Sequence, residues 1–93
     1  MLHSAVEVEF DPAKDAINRQ KHGLSLADAA LMDIEAARVI PDERRPYGEA
    51  RFRAYGWIEG RLHMLAFTMR GGVLRAISFR RASSREVRRY GDR

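Results

Sequence analysis

Residues 51–81 read RFRAYGWIEGRLHMLAFTMRGGVLRAISFRR. Two dipeptides, Glu59-Gly60 and Gly71-Gly72, divide this stretch into three runs of strand-forming residues. Links that short make hairpins and little else. In the first run, Arg51–Ile58, the residues Phe52, Ala54 and Ile58 alternate with Arg51, Arg53, Tyr55 and Trp57. Period two sends the first set to one face of a sheet and the second set to the other. The run Arg61–Met69 is apolar on both faces at Leu65, Ala66 and Phe67, as befits a central strand. In Val73–Arg81, strict alternation sets Val73, Ile77 and Phe79 against Leu74, Ala76, Ser78 and Arg80. The spacing predicts a consecutive antiparallel meander.

On the N-terminal side, AVEVEF (Ala5–Phe10) alternates valine with glutamate and reads as a half-buried strand. Asp11-Pro12 supplies an N-cap and a first helical residue, and Gly23 a left-handed stop, so a helix is expected from Pro12 to about His22. Its inward side is expected at Ala13, Ala16, Ile17 and Gln20. Lys14, Asn18 and Lys21 then share the outer face, which is either plainly solvated or one edge of an RNA or partner surface. Ser25 and Asp28 resemble a capping box opening a second helix, Leu26–Asp33, with Leu26, Ala29, Ala30 and Ile34 inward. Ala37–Ile40 is a short strand stopped by Pro41, and DERRPYGE (Asp42–Glu49) reads as an exposed loop.

At the other end, Ser83 and Glu86 form a capping box for a helix to about Tyr90. Seven residues do not hold a helix alone in water, so it must dock, with Val87 and Tyr90 as candidates. The order β-α-α-β-β-β-β-α defines an α+β domain, a mostly antiparallel sheet with its helices on one face. The open face, with its aromatics and strand-end arginines, is where a ligand would bind.

The chain has 93 residues, 45% of them apolar, enough for one core and a single domain over 1–93. It has no cysteine, which excludes disulfides, thiolate metal sites and cysteine nucleophiles and suits a cytoplasmic location. No stretch has the length and apolarity of a membrane span, and MLHSAVEVEF lacks the basic cluster of a signal peptide. Charge is unevenly divided. Residues 1–43 carry four basic and nine acidic side chains, a net of −5. Residues 44–93 carry thirteen arginines, no lysine and four acids, a net of +9. Arginine grips phosphate with a planar fork and stacks on bases, so this half points to a polyanion or an acidic partner.

Candidate chemistry is sparse. The three histidines have no metal-ligand spacing, and no metal site is expected. His3 lies at the terminus, and His63, inside a strand, reads as structural. His22 ends the first helix, where the dipole favours its protonated form; it is either a dipole partner or a phosphate contact. Phosphate-binding loops and serine-hydrolase motifs are absent. A metal-free ribonuclease needs little more than arginines and a carboxylate, because RNA carries its own nucleophile, the 2′-OH. Glu49 beside Arg51, with Arg70 and Arg80 at strand ends, supplies a base and a cationic clamp. The same residues serve a passive RNA-binding surface equally well.

Several motifs resemble those of the BrnT toxins. They are FDPAK…N..KHGLSLADA (Phe10–Ala29), GEARF (Gly48–Phe52), GRLHMLAFTMR (Gly60–Arg70) and LRAISFRRASSREVRRY (Leu74–Tyr90), together spanning about residues 6–90. Leu24, Leu26, His63 and Met64 depart from the residues common there. The resemblance implies a small RelE-like fold and an endoribonuclease that works without metal or cofactor and arrests growth. It also implies the partners. These are a BrnA-like ribbon-helix-helix antitoxin forming a heterotetramer with the toxin, RNA as substrate, and operator DNA contacted through the antitoxin. Carried over by position, it implies Glu49, Arg51, Arg70 and Arg80 for catalysis. Lys14, Lys21, His22, Arg53 and Arg81 would bind RNA.

Overall fold

A computed structural model describes residues 7–92. The meander forms as its turns demand. Strands β3 (Phe52–Ile58), β4 (Arg61–Arg70) and β5 (Val73–Arg81) are consecutive antiparallel neighbours, with Phe52 opposite Phe67 and Leu65 opposite Phe79. Both central residues of each hairpin have positive φ, 49° and 79° at Glu59-Gly60 and 56° and 81° at Gly71-Gly72. That geometry matches the right-handed twist of the flanking strands. A short strand β1 (Val8–Glu9) adds in parallel to β5, and β2 (Arg38–Pro41) adds antiparallel to β3, giving the order β1-β5-β4-β3-β2. Ala5 and Val6, expected in the first strand, lie outside the described residues, as does His3.

The alternation in β5 differs from the strict one. A bulge opposite the Ala66/Phe67 step leaves Ile77 unopposed and shifts the phase by one residue. Leu74, Ala76 and Phe79 therefore share one core with Leu26, Ala29, Met32, Ala54, Leu65 and Phe67. Ile77 belongs to the other face, where Tyr55, Leu62, Met64 and Ala66 form a second cluster.

Helix α1 (Pro12–His22) has the expected caps: the Asp11 carboxylate accepts from the Ala13 amide, and Gly23 closes it at φ 71°. Its buried side does not match the apolar expectation. Asp15 and Asn18 face inward, whereas Ile17 is 52% exposed, and Ala13, Ala16 and Gln20 are exposed as well. Hydrogen bonding accounts for the rotation. Asp15 Oδ1 accepts from the Leu26 amide at 2.7 Å and the Ser25 hydroxyl at 3.1 Å. Asn18 Nδ2 donates to the carbonyls of Leu24 (2.8 Å) and Phe79 (2.9 Å), and its Oδ1 accepts from the Phe79 amide at 2.9 Å. The amide thus occupies the free edge of β5 as a neighbouring strand would, and removes that edge from pairing with another chain.

The second helix is a 3₁₀ helix, Leu26–Leu31, shorter than expected. Leu26 and Ala29 are inward as the pattern indicated, but Ala30 is exposed and Leu31 is 66% exposed. Asp15 already holds the Leu26 amide and Ser25 caps through Ala27, so the segment closes i→i+3 bonds instead of extending as α-helix. Met32 just beyond it lies against Gly56 of β3, where a Cβ would stand 2.7 Å from Met32 Cγ.

Helix α2 (Ser84–Tyr90) opens on the expected box: the Ser83 hydroxyl accepts from the Glu86 amide, and the Glu86 carboxylate accepts from the Ser83 amide. It does not join the other helices. It lies over the opposite face, where Tyr90 stacks on Tyr55 at 4.1 Å and 16°, while Val87 stays exposed. The expectation of all helices on one face fails because Tyr55 offers an aromatic seat on the side away from Leu26 and Ala29 of the 3₁₀ helix.

A basic sheet face as candidate nucleic-acid interface

The alternation of β3 puts Arg51 and Arg53 on the face that α2 covers only in part, as the sequence indicated. The preceding loop, 42–51, is ordered despite its composition. The Asp42 amide donates to the Arg51 carbonyl at 2.8 Å, closing the loop. Asp42, 4% exposed, accepts from Arg44 Nε (2.6 Å), Arg44 Nη2 (2.7 Å) and the Tyr47 hydroxyl (3.4 Å), and Arg53 Nε lies 3.8 Å away. The hydrogen bonds from Arg44 hold its carboxyl below the usual range despite burial. Thr68 Oγ1 of β4, also buried, donates to the Ala50 carbonyl at 2.7 Å and ties the far end of the loop to the sheet.

This tethering carries Glu49 to a defined place. One carboxylate oxygen lies 3.7 Å from Arg51 Nε and the other 3.4 Å from Arg70 Nη2. Arg51 also lies over the Tyr47 ring at 4.1 Å, and its buried Nε has no hydrogen-bond partner. Three of the four residues expected in catalysis are therefore together, and two of them, Glu49 and Arg51, line a loop cavity of about 480 Å³ with Arg44, Arg45 and Tyr47.

Arg80 stands apart. Its partner across the sheet is Met64, whereas Arg51 falls beside Thr68 by extension of the Phe52–Phe67 pair. The two are four residues, roughly 13 Å, apart along the strand direction. Arg80 is held by Glu86 in a fork, Nη1 at 2.7 Å and Nη2 at 3.0 Å. Arg53 Nη1 donates to the Tyr55 hydroxyl at 3.0 Å, which donates to Glu86 at 2.9 Å. Arg80, with help from Ser83 and Tyr55, pulls the Glu86 carboxyl down to about 2, while burial and the bond to Glu86 push the Tyr55 phenol up. Arg85 and Arg89 complete the rim of this second cavity, about 280 Å³. Arg53 reaches toward both clusters.

The remaining expected contacts are elsewhere. Lys14, Lys21 and His22 line a groove between α1 and β5. Arg81 lies in a hollow with Glu59, Arg61 and His63. His63 is buried, stacks on Phe79 at 5.4 Å and bonds the Arg61 carbonyl through Nδ1, a structural setting. His22 does not follow the helix-dipole expectation: burial, then the nearby charges of Arg80 and Lys21, push its pKa below 6.5. Tyr55 stands beside Arg53 as its place in the alternation indicated. Sequence reading missed Asp42, Thr68 and Tyr90 as parts of this surface.

A small α+β domain whose sheet presents arginines on one face, with a carboxylate lodged between two of them, is built to engage a polyanion. The family model of the ribonuclease toxin BrnT of type II toxin-antitoxin systems matches residues 10–86, over four fifths of the chain. The chain belongs to that family of ribonuclease toxins, whose systems pair each toxin with a protein antitoxin. No curated protein matches it. Among the described residues, no helix is long and apolar enough to cross a membrane, and no group of three or more His, Asp or Glu could hold a metal ion.

Proposed function

We propose that the protein is a metal-independent endoribonuclease whose RNA lies across the arginine-bearing face, with the scissile phosphate at Glu49, Arg51 and Arg70. The observation that carries this reading is Glu49 placed between two guanidinium groups, 3.7 and 3.4 Å away. Glu49 accepts the proton of the RNA 2′-OH, whose oxygen attacks the adjacent phosphorus. Arg51 and Arg70 neutralise the charge that gathers on the non-bridging oxygens. The bond to the 5′-oxygen breaks, and that oxygen takes a proton from solvent, which reaches the site past the exposed Arg70. The products are a 2′,3′-cyclic phosphate and a 5′-hydroxyl. Arg53 and Arg80 hold the RNA backbone farther along the same face, which moves Arg80 from the chemistry to binding. The three-stranded meander behind an N-terminal helical corner supports a RelE-like fold. The antitoxin is of the ribbon-helix-helix kind and carries the complex to operator DNA.

The test is cleavage of end-labelled RNA by purified protein in excess EDTA, with the product ends analysed. Cyclic phosphate and 5′-hydroxyl ends are expected. Binding without cleavage would favour the passive RNA-binding alternative, and loss of activity in EDTA or 5′-phosphate ends would overturn the mechanism.

A further inference from the structure

The chain has only two lysines, Lys14 and Lys21, and both line the groove between α1 and β5. They are seven residues apart, two turns or about 10 Å along the helix. Ile17 stands between them, half exposed to solvent, and Ile77, the bulged residue of β5, lies across the groove. The space between is about 270 Å³. No arginine and no Phe, Tyr or Trp lines it, although the charge of Arg80 reaches His22; the cavity around Arg80, by contrast, is dominated by arginine and tyrosine. Asn18 holds both backbone groups of Phe79, so an incoming chain cannot extend the sheet at that point and must dock by its side chains.

We infer that this groove is the docking site for an acidic segment of the protein antitoxin. That segment carries one apolar side chain that seats between Ile17 and Ile77, flanked by carboxylates that meet Lys14 and Lys21. Lysines as point charges around an apolar centre suit scattered carboxylates, whereas phosphate backbones and bases are better served by the arginine forks and tyrosines of the cavities at Arg51 and Arg80. The inference rests on the toxin-antitoxin reading of the chain.

The test uses the full chain and the antitoxin encoded in its own operon, with affinity and association rate measured for the parent, Ile17→Asp and the double variant Lys14→Glu/Lys21→Glu. Ile17→Asp should weaken binding tenfold or more. The lysine double variant should slow association and flatten its salt dependence. RNA cleavage by free Ile17→Asp should stay within twofold of the parent. Should Ile17→Asp melt early, Ile17→Ala removes the apolar contact at an exposed site and should still weaken binding several-fold. Unchanged affinity in the folded Ile17 variants overturns the inference. So does an Ile17 variant that loses RNA cleavage while keeping the antitoxin, which would make the groove an RNA surface. A parent that fails to cleave RNA refutes the proposed chemistry but leaves the binding measurement to decide this surface.

Discussion

Replacing Asn18 by alanine tests the structural reading at its least expected point. Asn18 is 3% exposed, and its amide satisfies the Phe79 amide and carbonyl, both buried, and the partly buried Leu24 carbonyl. Each buried backbone group left unpaired costs about 1–3 kcal/mol. The two at Phe79 alone come to about 2–6 kcal/mol, and alanine's better helix propensity returns up to about 0.7 kcal/mol. A net loss of about 3 kcal/mol follows, against a total stability of roughly 5–14 kcal/mol for a chain of this length. In a domain of this size that lowers Tm by roughly 12–24 °C. Urea unfolding followed by circular dichroism measures it, with the midpoint falling and the slope unchanged. Asn18→Asp should cost more, because it turns a carboxylate toward two carbonyl oxygens. Gln20→Ala, on the exposed side of the same helix, should stay within about 0.5 kcal/mol. If Asn18→Ala is as stable as Gln20→Ala, the account of α1 is wrong.

Gly56→Val should cost about 1–3 kcal/mol, since its Cβ meets Met32 Cγ at 2.7 Å; Met32→Ala should relieve part of that in a double-mutant cycle. Glu86, with its folded pKa drawn down from 4.5 to about 2, stabilises the docking of α2 fully above pH 4.5. That contribution fades as pH falls toward 2, so the near-ultraviolet signal of the Tyr55–Tyr90 stack should titrate there, and not in Glu86→Gln. Thr68→Val leaves the Ala50 carbonyl without its donor. It should cost about 1 kcal/mol in unfolding and lower kcat more than it raises KM, because it frees the loop that carries Glu49.

The meander, its two turns and the arginine side of β3 were legible because period-two alternation and paired turn residues are local signals. The inward face of α1 was not. Asp15 and Asn18 are buried only because Leu24–Leu26 and Phe79 offer backbone partners, 61 residues along the chain in the last case, and hydrophobic periodicity does not register such pairings. The bulge at Ile77 has no residue signature, so strict alternation mis-sorted Leu74 and Ala76. At the candidate site, the nearness of Glu49 to Arg51 was plain from adjacency, and Arg70 follows from the β3–β4 pairing. The Gly71-Gly72 hairpin already implied that Arg80 lies at the far end of the strands from Arg70, and its register opposite Met64 bears that out, but its fork on Glu86 had no local signal.

The most direct test is the single-turnover cleavage rate of a short RNA by Glu49→Gln, Arg51→Ala and Arg70→Ala, each checked for an unchanged melt. Loss of a contact made in the transition state costs about 10²–10³ in rate. All three variants are expected to fall by that order, while Arg80→Ala loses mainly affinity for RNA. Folded variants of Glu49, Arg51 and Arg70 that cleave within a few-fold of the parent would contradict the account.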